Sequence, residues 1–420
     1  MTLSVWHYYD GRLSDAMEQL IAEFNENVGS KDGIIVNIVS VTDSKEQERI
    51  LETIARDDPG SPELPDLVTA YPFVALELQQ AGLLAALDGY VSPETLAKYV
   101  PEFIDEGRLP DGKLYSFPVA KSTESLFVNR TLFSRFSEAT GVSMETLSTF
   151  EGLAKTALRY YEWTDLQTPD IPNDGKSFFT PDSWFNLAQV QTAQLGSQFV
   201  GEDSLKISDE TFQRVWDFAV PPALQGAYAI GEGYSSVYAR TGEVITTIGS
   251  TAGVTYYGDS VTYPDNTQET IEWDVLPYPV LVGGQKVALQ RGAGFVVRKS
   301  DPRREQAAVK FLEWLTQPEQ NLRFVRSTGY LPVTKEAFGQ RMAAEIDITT
   351  DPQIKRLLIV ATDMFKEYKF IVNPNQANLS QLETSYQSAL KKAMLDGRAE
   401  IVSGAKLAEV DNAKRAAFEA

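Results

Sequence analysis

Apolar positions in the first eighty residues switch between two spacings. Leu3 to His7 is a short run that predicts a strand, Leu13, Met17, Leu20, Ile21 and Phe24 then recur at the spacing of one helix face, and Ile34 to Val41 predicts a second strand. The charged stretch from Ser44 to Arg56 carries Ile50, Leu51 and Ile54 on one helical face. After the loop Asp58-Pro59-Gly60-Ser61-Pro62, residues Asp66 to Ala70 predict a third strand and Phe73 to Gln80 a third helix. This βαβαβα alternation predicts a mostly parallel sheet with helices on both faces. Ligands of such sheets sit beyond the carboxyl ends of the strands, which here read Trp6-His7-Tyr8-Tyr9 and Tyr71-Pro72.

The pattern changes at Lys113. Lys113 to Ala120 reads as extended chain, Ser125 to Asn129 as an apolar strand, and Leu132, Phe133 and Phe136 open a helix. Met144 to Trp163 and Phe185 to Phe199 read as helices, separated by a polar loop from Thr168 to Pro181. Gly242 to Ser250, Trp273 to Leu281 and Gly294 to Arg298 read as strands. Ala307, Ala308, Phe311, Leu312 and Leu315 line one face of a helix from Arg303 to Leu315, and the chain from about Asp351 is mostly helical. No repeat period or low-complexity tract is visible.

Composition narrows the function classes. A chain of 420 residues exceeds one ordinary core and suits two domains of roughly 150 to 250 residues. Lys+Arg number 38 against 58 Asp+Glu, a net charge of −20, which opposes binding to nucleic acid or to an anionic lipid surface. With no Cys and the single His7, thiol nucleophiles, disulfides, Cys-ligated metals and His-rich metal sites drop out, and we expect no metal or cofactor. No apolar run approaches the ~18 residues of a membrane span, and Met1 to Val5 lacks the basic and apolar regions of a signal peptide. A soluble chain is expected, either cytosolic or an exported domain that has lost its leader.

Motif tests for catalysis are weak. Gly292-Ala293-Gly294 precedes a strand, Gly231-Glu232-Gly233 lies in a Tyr-rich loop, and neither opens a helix as a dinucleotide fingerprint must. Gly249-Ser250-Thr251-Ala252-Gly253 lacks the spacing of a nucleophile elbow and reads as a tight turn. Asp170, Asn173, Asp174 and Gly175 lack the closing Glu of a calcium loop. Carboxylates are too abundant to select a glycosidase pair, although Asp10 and Glu124 are the nearest candidates. Aromatics beside turn residues carry more information: Trp6, Tyr8 and Tyr9, then Tyr71, Trp184, Tyr256-Tyr257 and Tyr330. Aromatic faces flanked by hydroxyl and amide donors suit a sugar or polyol, while the alternative for each ring is core packing. Lys121 and Arg291 flank extended segments and read as surface charges or as anchors for an anionic or hydroxyl-rich ligand.

The ordered motifs resemble the extracellular solute-binding proteins of carbohydrate ABC transporters, the maltose-binding-like and glycerol 3-phosphate-binding-like group (family 1). The matching stretches are Val5-Trp6-His7 with its helix, Pro65 to Val68, Gly112 to Pro118, Leu126 to Phe133, Gly292 to Val297, the helix Ala307 to Leu315 with Pro318-Glu319-Gln320, and Thr328 to Val333. They follow the family order to about Phe338, and beyond it the tail matches only in helicity and length.

The resemblance implies a two-lobed periplasmic-binding-protein fold, each lobe a mostly parallel sheet flanked by helices, with a ligand cleft between lobes that close like a hinged clamp. It implies an N-terminal lobe of 1–119 plus 277–325, a C-terminal lobe of 120–276 plus 326–420, and hinges near 117–121, 276–278 and 326–332. It further implies a carbohydrate ligand, ABC permease subunits as partners, a monomer, no catalysis, and a place at the outer face of the membrane or in the periplasm. A lipid anchor through a Cys ahead of Met1 would account for the absent Cys and leader. Carried over by position, Tyr71 stands at the third strand end, Ser122 and Thr123 follow the first hinge, Trp184 is the stacking aromatic, Ser250 the small hydroxyl residue, Gly292 a backbone donor and Tyr330 the tyrosine of the Gly329-Tyr330-Leu331-Pro332 element. Trp6, Tyr9, Tyr257, Lys121 and Arg291 complete the expected ligand-binding set. The loop Ile371 to Gln376 lacks the Arg of the glycerol phosphate branch, so a neutral mono- or oligosaccharide leads, a phosphorylated polyol is the alternative, and a sugar-active enzyme or a peptide receptor trails.

Overall fold

The computed structural model describes residues 1–40, 43–376 and 378–419. These divide into two compact units. The first comprises Met1–Ser122, Gln290–Ile359 and Val372–Leu379, and the second Thr123–Leu289, Val360–Ile371 and Ser380–Ala420.

In the first unit the strands run Ile35–Ser40, Thr2–His7, Leu67–Ala70, Gly294–Val297, Ser116–Phe117 across one sheet. The first three are parallel, as the βαβαβα alternation predicts, while Gly294–Val297 is antiparallel to both neighbours. Val41, at the end of the predicted second strand, lies outside the described residues. The helix Gly11–Phe24 buries Leu13, Met17, Leu20, Ile21 and Phe24, the face read from spacing, and Phe24 meets Phe311 and Trp314 of the helix Pro302–Leu315. Leu67 and Val68 lie mid-sheet with no exposed surface. Just before them Asp66 accepts hydrogen bonds from the Ser4 amide and hydroxyl at 2.9 and 3.1 Å, from Arg304 at 2.7 Å and from Arg298 at 3.2 Å. One carboxylate thus ties the edge of two strands to a helix.

In the second unit the sheet order is Trp273–Leu276, Glu124–Asn129, Thr246–Ser250, Phe179–Pro181. Glu124–Asn129 is antiparallel to both neighbours, and only Phe179–Pro181 pairs in parallel. The α/β class with flanking helices holds, but the sheets are mixed where mostly parallel ones were expected. Only strands fed by a crossover helix within the same sheet are obliged to run parallel, and Glu124–Asn129 and Gly294–Val297 each enter directly after the chain has changed units. The helix Trp184–Gln194 is buried nearly all round, polar residues included. The Gln194 amide group donates to the Pro279 and Val287 carbonyls and accepts from the Leu281 N–H. The helices Leu379–Val402 and Leu407–Glu419 dock through Tyr386 and Phe418 on Phe199, Phe212 and Trp216. No helix among the described residues is long and apolar enough to cross a membrane.

The boundaries expected at 277 and 326 are not where the contacts divide. Val287–Leu289 pairs in parallel with Lys369–Ile371, which keeps both in the second unit. Residues 326–359 stay in the first, where Tyr330 packs on Tyr9 and Phe324, and Leu331 exchanges backbone hydrogen bonds with Lys121.

Candidate functional site

Parallel neighbours end side by side, so the residues just past Thr2–His7 and Leu67–Ala70 meet at one edge of the first sheet. Tyr8 and Tyr71 stack there with centroids 6.0 Å apart and planes 6° apart, and Phe73 stacks on Tyr71 at 6.4 Å and 10°. All three rings are half-buried. The Tyr8 hydroxyl accepts from the Ala293 N–H at 3.2 Å and bonds Tyr330, while the Tyr71 hydroxyl bonds Tyr8 and the half-buried Arg291. Burial pushes the Tyr8 and Tyr71 hydroxyls above the ordinary tyrosine range, so both stay protonated at neutral pH. The result is a ladder of aromatic faces bordered by neutral hydroxyls and one guanidinium.

Of the residues expected from sequence, the first unit brings Tyr71, Tyr330 and Arg291 together in this group. Trp6 is half-buried and packs against the apolar cluster of Leu51, Val68 and Val74. Tyr9 is a correction: at 1% exposure it is turned inward against His7, Phe324 and Tyr330. Its neighbour Tyr8 takes the edge position instead, with Phe73 beside Tyr71. Alternation along the strand holds the signal for Tyr8, since inward His7 and Tyr9 bracket it. Lys121 is a second correction. Its ammonium lies inside, 2.5 Å from the Glu106 carboxylate and 2.7 Å from the Gly292 carbonyl, so it is an internal ion pair rather than a ligand anchor. Ser122 is buried and exchanges both backbone hydrogen bonds with Arg291 at 2.8 and 2.7 Å. Gly292 has φ +95°, and a Cβ there would stand 2.8 Å from the Ala120 carbonyl oxygen, so close backbone approach requires glycine.

In the second unit Thr123 is fully buried and donates its hydroxyl to the Leu289 carbonyl at 2.9 Å. Ser250 is half-buried at its strand end and accepts from the Ala252 N–H at 3.3 Å, capping the short helix Thr251–Tyr256. Trp184, at 3% exposure, packs on Phe179 and Tyr228. Tyr257, at 2%, stacks on Phe127 with centroids 4.3 Å apart and bonds the Thr247 hydroxyl at 2.7 Å. Both rings are core residues, which corrects their expected role as open stacking surfaces. Asp182, not singled out from sequence, fixes this strand end: it accepts from the Ser235 N–H and hydroxyl at 2.8 and 2.7 Å and from the Ser250 N–H at 3.3 Å. The carboxylates Asp10 and Glu124 belong to different units. Asp10 is exposed ahead of the helix Gly11–Phe24, and Glu124 is buried and accepts from Asn186 at 2.9 Å. No group of three or more His, Asp or Glu side chains among the described residues is arranged to hold a metal ion.

Solved structures share this fold along the whole chain. The cyclic α-maltosyl-1,6-maltose binding protein of Arthrobacter globiformis is 19% identical with a TM-score of 0.71, covering 100% of this chain and 98% of its own. UgpB of Mycobacterium tuberculosis, solved with glycerophosphocholine, is 17% identical with a TM-score of 0.75 over 100% and 98%. Lmo0181 of Listeria monocytogenes, an ABC substrate-binding protein solved with cycloalternan, is 16% identical with a TM-score of 0.72 over 99% and 97%. A search of curated proteins finds no match. The family model for bacterial extracellular solute-binding proteins matches residues 19–356, most of the chain, and the chain belongs to that family.

Proposed function

We propose that this protein is the substrate-binding component of an ABC importer that captures a carbohydrate, a mono- or oligosaccharide, and delivers it to permease subunits. The observation that carries the sugar class is the Tyr8, Tyr71 and Phe73 ladder with its neutral hydroxyl border. Flat apolar faces accept the C–H patches of a pyranose, and un-ionised hydroxyls both donate to and accept from sugar hydroxyls. The name of the similar cyclic α-maltosyl-1,6-maltose binding protein and the cycloalternan complex of the similar Lmo0181 support the same class. The protein acts as a monomer, without catalysis, held by a lipid anchor at the outer face of the membrane or free in the periplasm.

A second reading, a phosphorylated polyol, draws on Arg291 beside Tyr71 and on the glycerophosphocholine complex of the similar UgpB. The test is intrinsic fluorescence and thermal shift against maltose, maltotriose, cyclic maltooligosaccharides, glycerol 3-phosphate and glycerophosphocholine. A sugar should saturate the signal, and Tyr71→Ala should weaken it by about tenfold or more while Tm is kept. Saturation by the phosphate compounds alone selects the second reading, and silence across the panel defeats both. Hydrolysis of any panel sugar would replace binding with an enzyme.

A further inference from the structure

Where the chain leaves the first unit and returns to it, a buried ion pair joins segments distant in sequence. The first pass through that unit ends at Ser122 and the second begins at Gln290. The Lys121 and Glu106 side chains are only 3% and 8% exposed, and the ammonium donates to Glu106 at 2.5 Å and to the Gly292 carbonyl at 2.7 Å. The Gln290 side-chain amide donates to the same Glu106 oxygen. Around this centre the backbone is doubly paired: Lys121 with Leu331 at 3.0 and 2.6 Å, and Ser122 with Arg291 at 2.8 and 2.7 Å. The Asn321 amide group completes the lattice, donating to the Val119 carbonyl at 2.7 Å and accepting from the Val333 N–H at 2.9 Å.

A buried ion pair seldom adds net stability over apolar residues of the same size, because desolvation consumes much of the attraction. What it does impose is one arrangement, since any other leaves a charge unpaired in the interior. Here the arrangement imposed is that of the crossover segments. The family resemblance implies a hinge near 117–121, yet Val119 and Lys121 are hydrogen-bonded there to Asn321, Glu106, Gly292 and Leu331 of the same unit.

We propose that Lys121, Glu106 and Gln290 form a clasp that makes segments 117–122, 290–293 and 330–333 one rigid body with the first sheet. Bending during solute capture then falls outside 117–121. The three are positioning residues that set affinity without touching the solute. This rests on the solute-binding reading and not on which solute is bound.

The test is amide hydrogen exchange on the full unliganded chain, comparing the parent with Lys121→Met, Glu106→Gln and the milder Gln290→Ala. The expected result is exchange about tenfold faster or more at the Ser122, Arg291 and Leu331 amides in the two charge variants, and a few-fold faster in Gln290→Ala. Val5 and Leu126, in the central strands of the two units, should keep their rates. Unchanged exchange at the three amides, or a rise that Val5 and Leu126 share in all three variants, overturns the clasp. Maltotriose dissociation, followed by fluorescence, should accelerate severalfold in the same variants, and an unaltered rate counts against the positioning role. Failure of the parent chain to bind maltotriose or any other sugar defeats the sugar reading alone, because the exchange comparison decides the clasp without ligand.

Discussion

Replacing Asp66 by Asn should weaken the tie between the first unit's sheet and the helix Pro302–Leu315. Asp66 is 3% exposed, and its carboxylate gathers Ser4 from one strand, Arg298 from the end of another and Arg304 from a helix. Burial alone would raise this carboxyl. The Ser4 N–H and the Arg304 and Arg298 guanidiniums outweigh it and hold the group below the usual carboxylate range. Asn preserves the shape and can still accept from Ser4, so the loss is the charge facing two guanidiniums. Breaking a fully buried ion pair costs roughly 3 to 5 kcal/mol. The Arg298 and Arg304 side chains are 26% and 29% exposed, so water screens a share and about 2 to 3 kcal/mol remains. For a unit of about 200 residues each kcal/mol shifts Tm by about 2 to 4 °C, which gives a fall of about 5 to 10 °C at pH 7. Circular dichroism melting with parallel urea unfolding measures it. A carboxyl depressed in the native state stabilises above its unfolded pKa and loses that contribution as pH falls through the native value, so the gap between parent and variant should close on acidification. A Tm difference under about 2 °C at pH 7, or a gap that widens toward acid, would refute this account of the network.

Three further outcomes follow from the same kind of reasoning. His7 has no exposed surface, and burial lowers it to about 4 against the opposing effect of backbone hydrogen bonds at His7 and Tyr9, so it is neutral in the native state at neutral pH. Its contribution is present above the unfolded value of about 6.5 and is lost as pH drops toward 4, by about 3 kcal/mol in all, and His7→Gln should flatten that part of a urea-stability profile. Gly292→Ala should destabilise by about 1 kcal/mol or more, since it meets both a positive φ and the Ala120 carbonyl; an unchanged urea midpoint would count against the close approach. Tyr257→Phe leaves the ring stack on Phe127 intact and removes the buried hydroxyl's hydrogen bonds to Thr247 and Ser235, so it should cost about 1 to 2 kcal/mol and leave solute affinity untouched, whereas an affinity change would return Tyr257 to the binding surface.

The elements legible in the sequence were those with a local period. The helix face from Leu13 to Phe24 and the three parallel strands of the first unit stand where the apolar spacing puts them. The place of Tyr71 at the sheet edge beside Tyr8 and Phe73 was legible because it directly follows a strand. Trp184 and Tyr257 carry no comparable mark. An aromatic residue beside a turn reads the same whether its ring faces outward or meets Phe127 inside, and only the tertiary partner separates the cases. Lys121 was ambiguous for the same reason, since its partner Glu106 lies 15 residues away with a turn between. The expected boundary at 277 differs from the contact division because Val287–Leu289 pairs with Lys369–Ile371 across a long stretch of chain, and no composition shift marks either strand.

The placement of Gly294–Val297 between Leu67–Ala70 and Ser116–Phe117 bears on how the protein is made. The first sheet cannot close until synthesis has passed Val297, and by then the whole Thr123–Leu289 excursion has emerged and can collapse on itself. The amino-terminal third therefore waits, with Leu67, Val68 and Phe117 lacking their central neighbour, while a later portion of the chain gains most of its partners first. Such non-local pairing slows folding and keeps an apolar edge open to unwanted association during the delay. For a protein of an extracellular family, the same delay holds the nascent chain in a form that has not yet locked.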